Sequence, residues 1–233
     1  MILEYTPEQQ AFRAEVRGWM EANVPKTRLP SFDLTREGFE AHREWERTLN
    51  EGKWGMVTWP EAYGGRALDL IRWLIFEEEY YRAGAPTRVN QNGIFLLGPT
   101  VMEFGTDEQK ARILTRMAAG DDIWAQAWSE PGAGSDLAAV RSTCTREGDE
   151  YVLNGQKIWS SRASFADWAF GLFREPGSER HKGMSLIFFS LDAPGVTRRP
   201  IARMDGELVF AEIFLDNVRV PVADRLGDEG QGW

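Results

Sequence analysis

The fold of this 233-residue chain is decided in the stretch Gly120-Asp121-Asp122-Ile123-Trp124-Ala125-Gln126-Ala127-Trp128-Ser129. Before it, apolar residues recur every three to four positions, which is typical of amphipathic helices. After it, short runs of β-branched and aromatic residues alternate with turn residues, which is typical of strands. The sequence therefore predicts an α+β multidomain fold: an all-α domain over residues 1–121, then an antiparallel β-barrel domain over residues 122–228.

Two capping boxes predict where helices begin in the first half of the chain. The segments Thr6–Gln9 and Thr106–Gln109 each place a Thr three residues before a Gln, so that the two side chains can satisfy the first free backbone N–H groups. Apolar residues at helical spacing predict two further helices, one from Phe39 to Leu49 and one from Leu68 to Glu78.

Seven short strands are predicted in the second half, over residues 123–129, 139–146, 150–153, 156–160, 168–174, 184–191 and 209–215. The dipeptide Asn154-Gly155 predicts a hairpin turn, since a type I′ turn needs positive φ at both of its central residues. Consecutive strands without helices between them favour an antiparallel barrel or sandwich over a nucleotide-binding βαβ sheet.

Composition excludes several classes of protein. The 27 basic and 36 acidic residues give a net charge of −9, which disfavours nonspecific nucleic-acid binding. A single cysteine and two histidines leave too few ligands for a structural zinc site and no internal disulfide, so no metal site is expected. The sequence contains no run of 18 apolar residues and no secretory signal pattern, so we expect no membrane span and a cytoplasmic location.

A glycine-rich turn follows the first predicted strand, over residues 129–136. Its spacing fits neither a phosphate loop nor a dinucleotide loop, because Leu137 stands where a third glycine is needed, and the serine-hydrolase elbow is also absent. The turn could offer backbone N–H groups to a ligand, or it could simply form a corner of the β domain. We interpret Glu130 and Asp136 as acceptors that stabilise the turn rather than as catalysts.

A second segment, Leu153–Ala163, places Trp159 and two serines at the end of a predicted strand. Trp159 could belong to the core, which is the usual position of a strand tryptophan, or it could form the wall of a planar ligand site. The residue types alone leave both interpretations open.

Together these segments resemble the acyl-CoA dehydrogenase family. Residues Ser129–Asp136 match the signature of that family, and Gly148–Trp159 match its second conserved block. Three further segments match in the same order: Phe104–Lys110, His181–Ser185 and Asp216–Pro221. The resemblance covers essentially the whole chain.

The resemblance implies a site for FAD on the β domain. Contact with the flavin ring is implied for Gln126, Trp128 and Ser129 on one segment and for Trp159, Ser160 and Ser161 on the other. The position of Ser135 implies contact with the thioester arm of CoA. Trp128, Ser160 and Arg162 depart from residues common in the family, which affects the shape and charge of the pocket.

The function implied is oxidation of the Cα–Cβ bond of an acyl-CoA thioester to the trans-2-enoyl product, with an electron-transfer flavoprotein or a similar acceptor taking the electrons. The resemblance is somewhat greater to members acting on bulky or sterol-derived thioesters. The full-length protein is expected to be a dimer or tetramer.

The family has a C-terminal helical domain that residues 229–233 would only begin. Its catalytic glutamate lies there, so no carboxylate of this chain is assigned as the base, and the chain alone is expected to be incomplete and inactive. Alternatives are a noncatalytic flavin- or CoA-binding module, such as a structural subunit completed by a partner chain, and an oxidase or monooxygenase of the same superfamily.

Overall fold

The computed structural model describes residues 4–233, and its first half is helical. Five α-helices lie within the described residues: α1 Pro7–Asn23, α2 Arg36–Glu51, α3 Leu70–Arg82, α4 Gly98–Phe104 and α5 Asp107–Ala118. Both predicted capping boxes are present, with Thr6 capping α1 and Thr106 capping α5. The sequence did not predict α4, which continues directly from a wide helical turn at Asn92–Leu97 and so has no polar cap of its own. No helix of residues 4–233 is long and apolar enough to span a membrane.

The second half forms one eight-stranded sheet. Its strands are β1 Trp124–Ala127, β2 Thr143–Glu147, β3 Glu150–Ser161, β4 Trp168–Arg174, β5 Met184–Ser190, β6 Val196–Ile201, β7 Phe210–Pro221 and β8 Arg225–Leu226. They lie in the order β6-β7-β3-β2-β4-β5-β8, and β1 pairs with β4. The α+β class is therefore confirmed.

The predicted closed antiparallel barrel is not confirmed, because the sheet is open between β6 and β8 and two of its pairings, β1 with β4 and β2 with β4, are parallel. A reason lies in the packing of β4 and β5. Phe170 and Phe188 share a core cluster with Ile94 and Leu97 of the helical half. Helices thus cover apolar side chains that a closed barrel would have to bury internally.

The predicted hairpin turn at Asn154-Gly155 is wrong. Strand β3 runs without a break through both residues, and the turn between β2 and β3 lies at Gly148-Asp149, where Glu147 pairs with Glu150. Gly155 instead lies at a shift in register between β3 and β7 and has a φ of +143°. The positive φ that Asn-Gly signals is therefore used in an irregularity within a strand.

Asn90 joins the two halves of the molecule at the start of β1. This fully buried side chain accepts a hydrogen bond from the Trp124 amide at 3.0 Å and donates to the carbonyl oxygen of Asp122 at 3.0 Å and that of Met117 at 3.3 Å. Each bond satisfies a buried polar group, so the end of α5 and the first strand are held in one arrangement.

Candidate functional site

The ends of β1 and β3 lie side by side and bring together the two segments that the sequence singled out. The amide of Ile158 donates to the carbonyl oxygen of Ser129 at 2.9 Å, and Nζ of Lys157 lies 3.4 Å from the carbonyl oxygen of Trp128. The segment Gln126–Ser129 therefore adjoins the segment Trp159–Ser161. Ser135 is exposed and lies in the turn that follows Ser129.

A bulge in β3 sets the direction of Trp159. Lys157 pairs with Ile213 of β7 and Ser160 pairs with Ala211, so that Ile158 and Trp159 together oppose the single residue Glu212. Trp159 has a φ of +58°, which costs a side chain of this size on the order of 1–2 kcal/mol. Bulges redirect side chains and occur often beside binding sites.

Trp159 is 56% exposed, whereas the next residue of the strand, Ser160, is buried. One edge-to-face contact with Phe210, at 5.9 Å between ring centroids, supports the Trp159 ring. The predicted alternative, that Trp159 is part of the core, is therefore wrong. A broad aromatic surface is available to a ligand at this point.

Two polar atoms of these segments are buried without a hydrogen-bond partner among the described residues: Nε1 of Trp128 and Oγ of Ser160. The Trp128 ring packs edge-on against Phe170 at 6.0 Å, which fixes the indole. Buried polar groups nearly always have partners in native proteins. These two atoms therefore mark positions where a bound water or ligand group would be favourable.

Glu130 is an acceptor that stabilises the turn, as the sequence predicts. Its carboxylate accepts from the amides of Arg141 at 2.6 Å and Ser142 at 2.9 Å and from Nζ of Lys157 at 2.8 Å. Burial would raise the pKa of this carboxyl, but Lys157 and the backbone donors outweigh it and hold the pKa below its usual value. Such a carboxylate is a poor base, because every donor favours its charged form.

Sequence reasoning assigned no role to Lys157, which the structure places at the centre of this network. Its ammonium also donates to the carbonyl oxygen of Leu172 at 2.6 Å and is completely buried. Burial lowers the pKa of Lys157, and Glu130 opposes that change. Lys157 follows the buried residues Tyr151, Val152 and Leu153 in the same strand, and this position of a lysine is the signal that could have identified the pair.

Asp136 also has a structural role. It forms an ion pair with Arg180 at 3.0 Å, and both side chains are exposed. Such a pair contributes little to stability, roughly 0–1 kcal/mol. Nothing in this geometry prepares Asp136 to remove a proton.

An apolar groove of about 620 Å³ lies in the helical half. Its lining includes Leu74, Glu77, Tyr81, Thr87, Gln91 and Phe95. Asn92, the residue after the lining residue Gln91, donates through Nδ2 to the carbonyl oxygen of Ser161 at 3.4 Å and so connects this part of the helical half to the end of β3. Sequence reasoning missed this groove, because its residues come from α3 and from a segment without regular spacing.

Glu77 lies half-buried in the wall of the groove. Burial raises the pKa of its carboxyl, and the indole Nε1 of Trp73 donates to it at 3.2 Å. Tyr81 is 72% exposed at the margin of the groove, and Phe95 is 42% exposed. Exposed aromatic side chains of this size around a concave surface are typical of a binding site.

No cluster of three or more His, Cys, Asp or Glu side chains within residues 4–233 is arranged to hold a metal ion. The single cysteine, Cys144, is buried in the core, and burial raises its pKa to about 12. The thiol is therefore protonated at neutral pH and unsuited to nucleophilic chemistry. The candidate site offers aromatic surface, hydroxyl groups and an amide.

Comparison with known proteins relates this chain to one family. Residues 6–121 match the family described as "Acyl-CoA dehydrogenase, N-terminal domain", and residues 125–218 match "Acyl-CoA dehydrogenase, middle domain". The acyl-CoA dehydrogenase IpdE1 of Mycobacterium tuberculosis is 43% identical over 230 residues, an alignment that covers 96% of this chain and 60% of the relative.

Solved structures agree with this comparison. The "Tcur3481-Tcur3483 steroid ACAD" superimposes with a TM-score of 0.87 at 34% identity, over 100% of this chain and 60% of that one. A glutaryl-CoA dehydrogenase from Mycobacterium smegmatis in complex with FADH2 has a TM-score of 0.73 at 25% identity, over 97% of this chain and 57% of that one. The chain thus spans about three fifths of the length of these relatives, and it belongs to the acyl-CoA dehydrogenase family.

Proposed function

We propose that this chain supplies the helical and β portions of an FAD-dependent acyl-CoA dehydrogenase that converts an acyl-CoA thioester to its trans-2-enoyl product. The observation that carries the proposal is the exposed Trp159 ring, set by a bulge beside the Ser129 segment. A planar cofactor needs such a wall together with a few fixed polar groups.

The residues present fit a flavin. Trp128 and Ser160 have buried polar atoms without partners among residues 4–233, and such atoms gain free energy when a ligand supplies the missing hydrogen bonds. When bound, FAD would supply a two-electron acceptor for the hydride that leaves Cβ of the acyl group.

The individual residues have distinct tasks in this proposal. Trp159 would cover one face of the ring and exclude water from it. The hydroxyl groups of Ser129 and Ser161 and the amide of Gln126 would orient the polar edge of the ring, and Trp128 would bound the pocket. Ser135, in the exposed turn, would contact the thioester arm of CoA.

The apolar groove of the helical half is proposed to hold the acyl group, since the segment that lines it continues at Asn92 to a hydrogen bond with Ser161. Its volume of about 620 Å³ lies within the usual range for small-molecule sites, roughly 300–1,000 Å³. A groove of this size is large enough for a bulky polycyclic acyl group and larger than a short acyl chain would fill. The similarity to a solved steroid acyl-CoA dehydrogenase supports the same substrate class, and with it a role in lipid or sterol catabolism.

Neither carboxylate of the glycine-rich turn is proposed to remove the proton from Cα. Glu130 is held in its charged form by three donors, and Asp136 is paired on the surface. A base must reach the proton that it removes, and neither group is available for that.

We further propose that the complete protein is a dimer or tetramer and passes electrons to an electron-transfer flavoprotein or a similar acceptor.

The test uses the complete protein, loaded with FAD and mixed with saturated acyl-CoAs of different size, including a steroid-derived thioester. We expect the flavin absorption to bleach, most strongly with the bulky thioester. Flavin binding without bleaching by any acyl-CoA would overturn the dehydrogenase proposal and favour a noncatalytic flavin-binding module. Peroxide formation during turnover would instead indicate an oxidase.

The position of the cofactor is tested by Trp159→Ala. Loss of the aromatic wall should weaken FAD binding by about tenfold, which corresponds to about 1.4 kcal/mol. Trp233→Ala is a matched control, because that ring is 57% exposed and lies in contact with His181 instead. Equal FAD affinity for the two variants would contradict the assignment of Trp159.

A further inference from the structure

The residue that follows β3 carries an ion pair to the helical half of the molecule. Arg162 directs its guanidinium onto the carboxylate of Asp33, with Nη1 3.0 Å from both oxygens. The side chains are 14% and 6% exposed, so the pair is largely shielded from water. The guanidinium also stacks over the Phe32 ring, 4.2 Å from its centroid.

Backbone hydrogen bonds connect the same three segments. The amide of Arg162 donates to the carbonyl oxygen of Val209 at 3.2 Å, and the amide of Leu208 donates to the carbonyl oxygen of Asp33 at 3.0 Å. The end of β3, the loop before α2 and the residues before β7 are thus linked into a ring of contacts. We call the Arg162–Asp33 pair with these two backbone bonds the β3 clamp.

The clamp lies at a strained part of the chain. Arg162 has a φ of +69°, and Trp159, three residues earlier, has a φ of +58°. Residues other than glycine in this region cost on the order of 1–2 kcal/mol each, and the surrounding structure must hold them there. For Arg162 the clamp contributes to this, since the Val209 carbonyl fixes its amide and Asp33 fixes its side chain, while its own carbonyl oxygen accepts from the amides of Phe165 at 3.1 Å and Ala166 at 3.0 Å.

We propose that Arg162 is a positioning residue, whose pairing with Asp33 holds the Trp159–Ser161 backbone in the conformation that a flavin requires. The proposal rests on the proposed function for its ligand, while its structural part concerns residues of this chain alone. The Arg162 guanidinium is committed to Asp33 and Phe32, so the residue acts through the backbone rather than by touching the substrate.

A suitable variant removes the pair without leaving a buried charge. Arg162→Met alone would strand the Asp33 carboxylate, so it is combined with Asp33→Asn. Methionine retains most of the side chain that covers Phe32. Arg162→Lys is the conservative variant, because it keeps the charge but loses the planar group that lies over the Phe32 ring. Arg219→Met is the control, since Arg219 forms exposed ion pairs with Glu147 and Glu150.

The first readout needs no cofactor. Amide hydrogen exchange of the complete protein, resolved by segment, should be at least about tenfold faster over residues 158–164 in the Arg162→Met/Asp33→Asn variant, with little change over β2. Arg162→Lys should give an intermediate rate, and Arg219→Met should match the unmodified protein. An unchanged rate over residues 158–164, or an equal increase throughout the protein, would overturn the positioning role.

The second readout is FAD titration of the same proteins. The double variant should bind FAD about tenfold more weakly, and its absorption bands at saturation should be shifted relative to the unmodified protein and the Arg219→Met control. Unchanged affinity and spectrum in the double variant would overturn the link to the flavin. Failure of the unmodified protein to bind FAD would overturn the proposed function instead, while hydrogen exchange would still decide whether the clamp positions the segment.

Discussion

Nζ of Lys157 lies 2.8 Å from Oε1 of Glu130 in an environment where the lysine is fully buried and the glutamate nearly so. This contact joins the middle of β3 to the turn after β1. Lys157 lies two residues before Trp159, and Glu130 directly follows Ser129. A single buried ion pair therefore connects the two proposed flavin-binding segments.

Lys157→Met should destabilise the protein by about 3–5 kcal/mol, because the Glu130 carboxylate would remain buried without its counterion. Urea denaturation followed by circular dichroism measures the effect. Arg219→Met serves as the control, since its ion pairs are exposed and should cost less than about 1 kcal/mol. A similar decrease in the free energy of unfolding for the two variants would show that the buried Lys157 pair contributes no more to stability than an exposed pair.

Stability should fall in acid partly because of Glu130. Its carboxyl has a pKa below the ordinary value of 4.5 in the folded protein, so the folded state binds this proton more weakly than the unfolded state. The stabilisation is present above about pH 4.5 and is lost as the pH falls through the lower folded value. Glu130→Gln should therefore give a flatter stability curve in this range, and parallel curves for the two proteins would refute the prediction.

Gly155→Ala should destabilise the protein by about 3 kcal/mol, the upper end of typical overpacking costs. A Cβ at this position would lie 2.2 Å from Oγ and 2.7 Å from Cα of Ser142, and the φ of +143° is one that side chains rarely adopt. Gly148→Ala is the comparison. A Cβ there meets nothing within 4 Å, and its φ of +65° should cost about 1–2 kcal/mol. In thermal denaturation, the melting temperature of the Gly155→Ala variant should be clearly lower than that of the Gly148→Ala variant.

Gln109→Ala should cost more than Thr106→Ala, although both belong to the capping box of α5. Loss of the Thr106 cap should cost about 1 kcal/mol. Gln109 additionally donates through Nε2 to the carbonyl oxygens of Ala223 at 2.9 Å and Arg225 at 2.8 Å, so its removal should cost about 2–3 kcal/mol. Equal midpoints in urea would mean that the contacts beyond the helix contribute nothing measurable.

Features written in local sequence were predictable. Thr6 and Thr106 cap their helices because a capping box needs only four consecutive residues. The change of hydrophobic period after Gly120 likewise indicated where helices give way to strands. Strand β6 was missed, since Arg198, Arg199 and Pro200 lack the apolar alternation that identifies a strand.

Features that depend on distant contacts were not predictable. The dipeptide Asn154-Gly155 signals positive φ, but whether that φ forms a turn or a bulge depends on the pairing of β3 with β7. Closure of the sheet depends on what the helices cover. The candidate site divides in the same way. Motif residues such as Trp159 could be singled out from the sequence, whereas the Arg162–Asp33 pair joins segments far apart in the chain. The groove combines α3 with a segment that has no regular spacing.

The open sheet has a further consequence for how the protein behaves at high concentration. A free edge strand presents unpaired backbone groups that can recruit a strand from another molecule and begin aggregation. At the β6 edge, Pro200 has no amide hydrogen to offer, and Arg198 and Arg199 add charge. The same three residues that make β6 hard to recognise in the sequence therefore disfavour the pairing of another strand with the β6 edge.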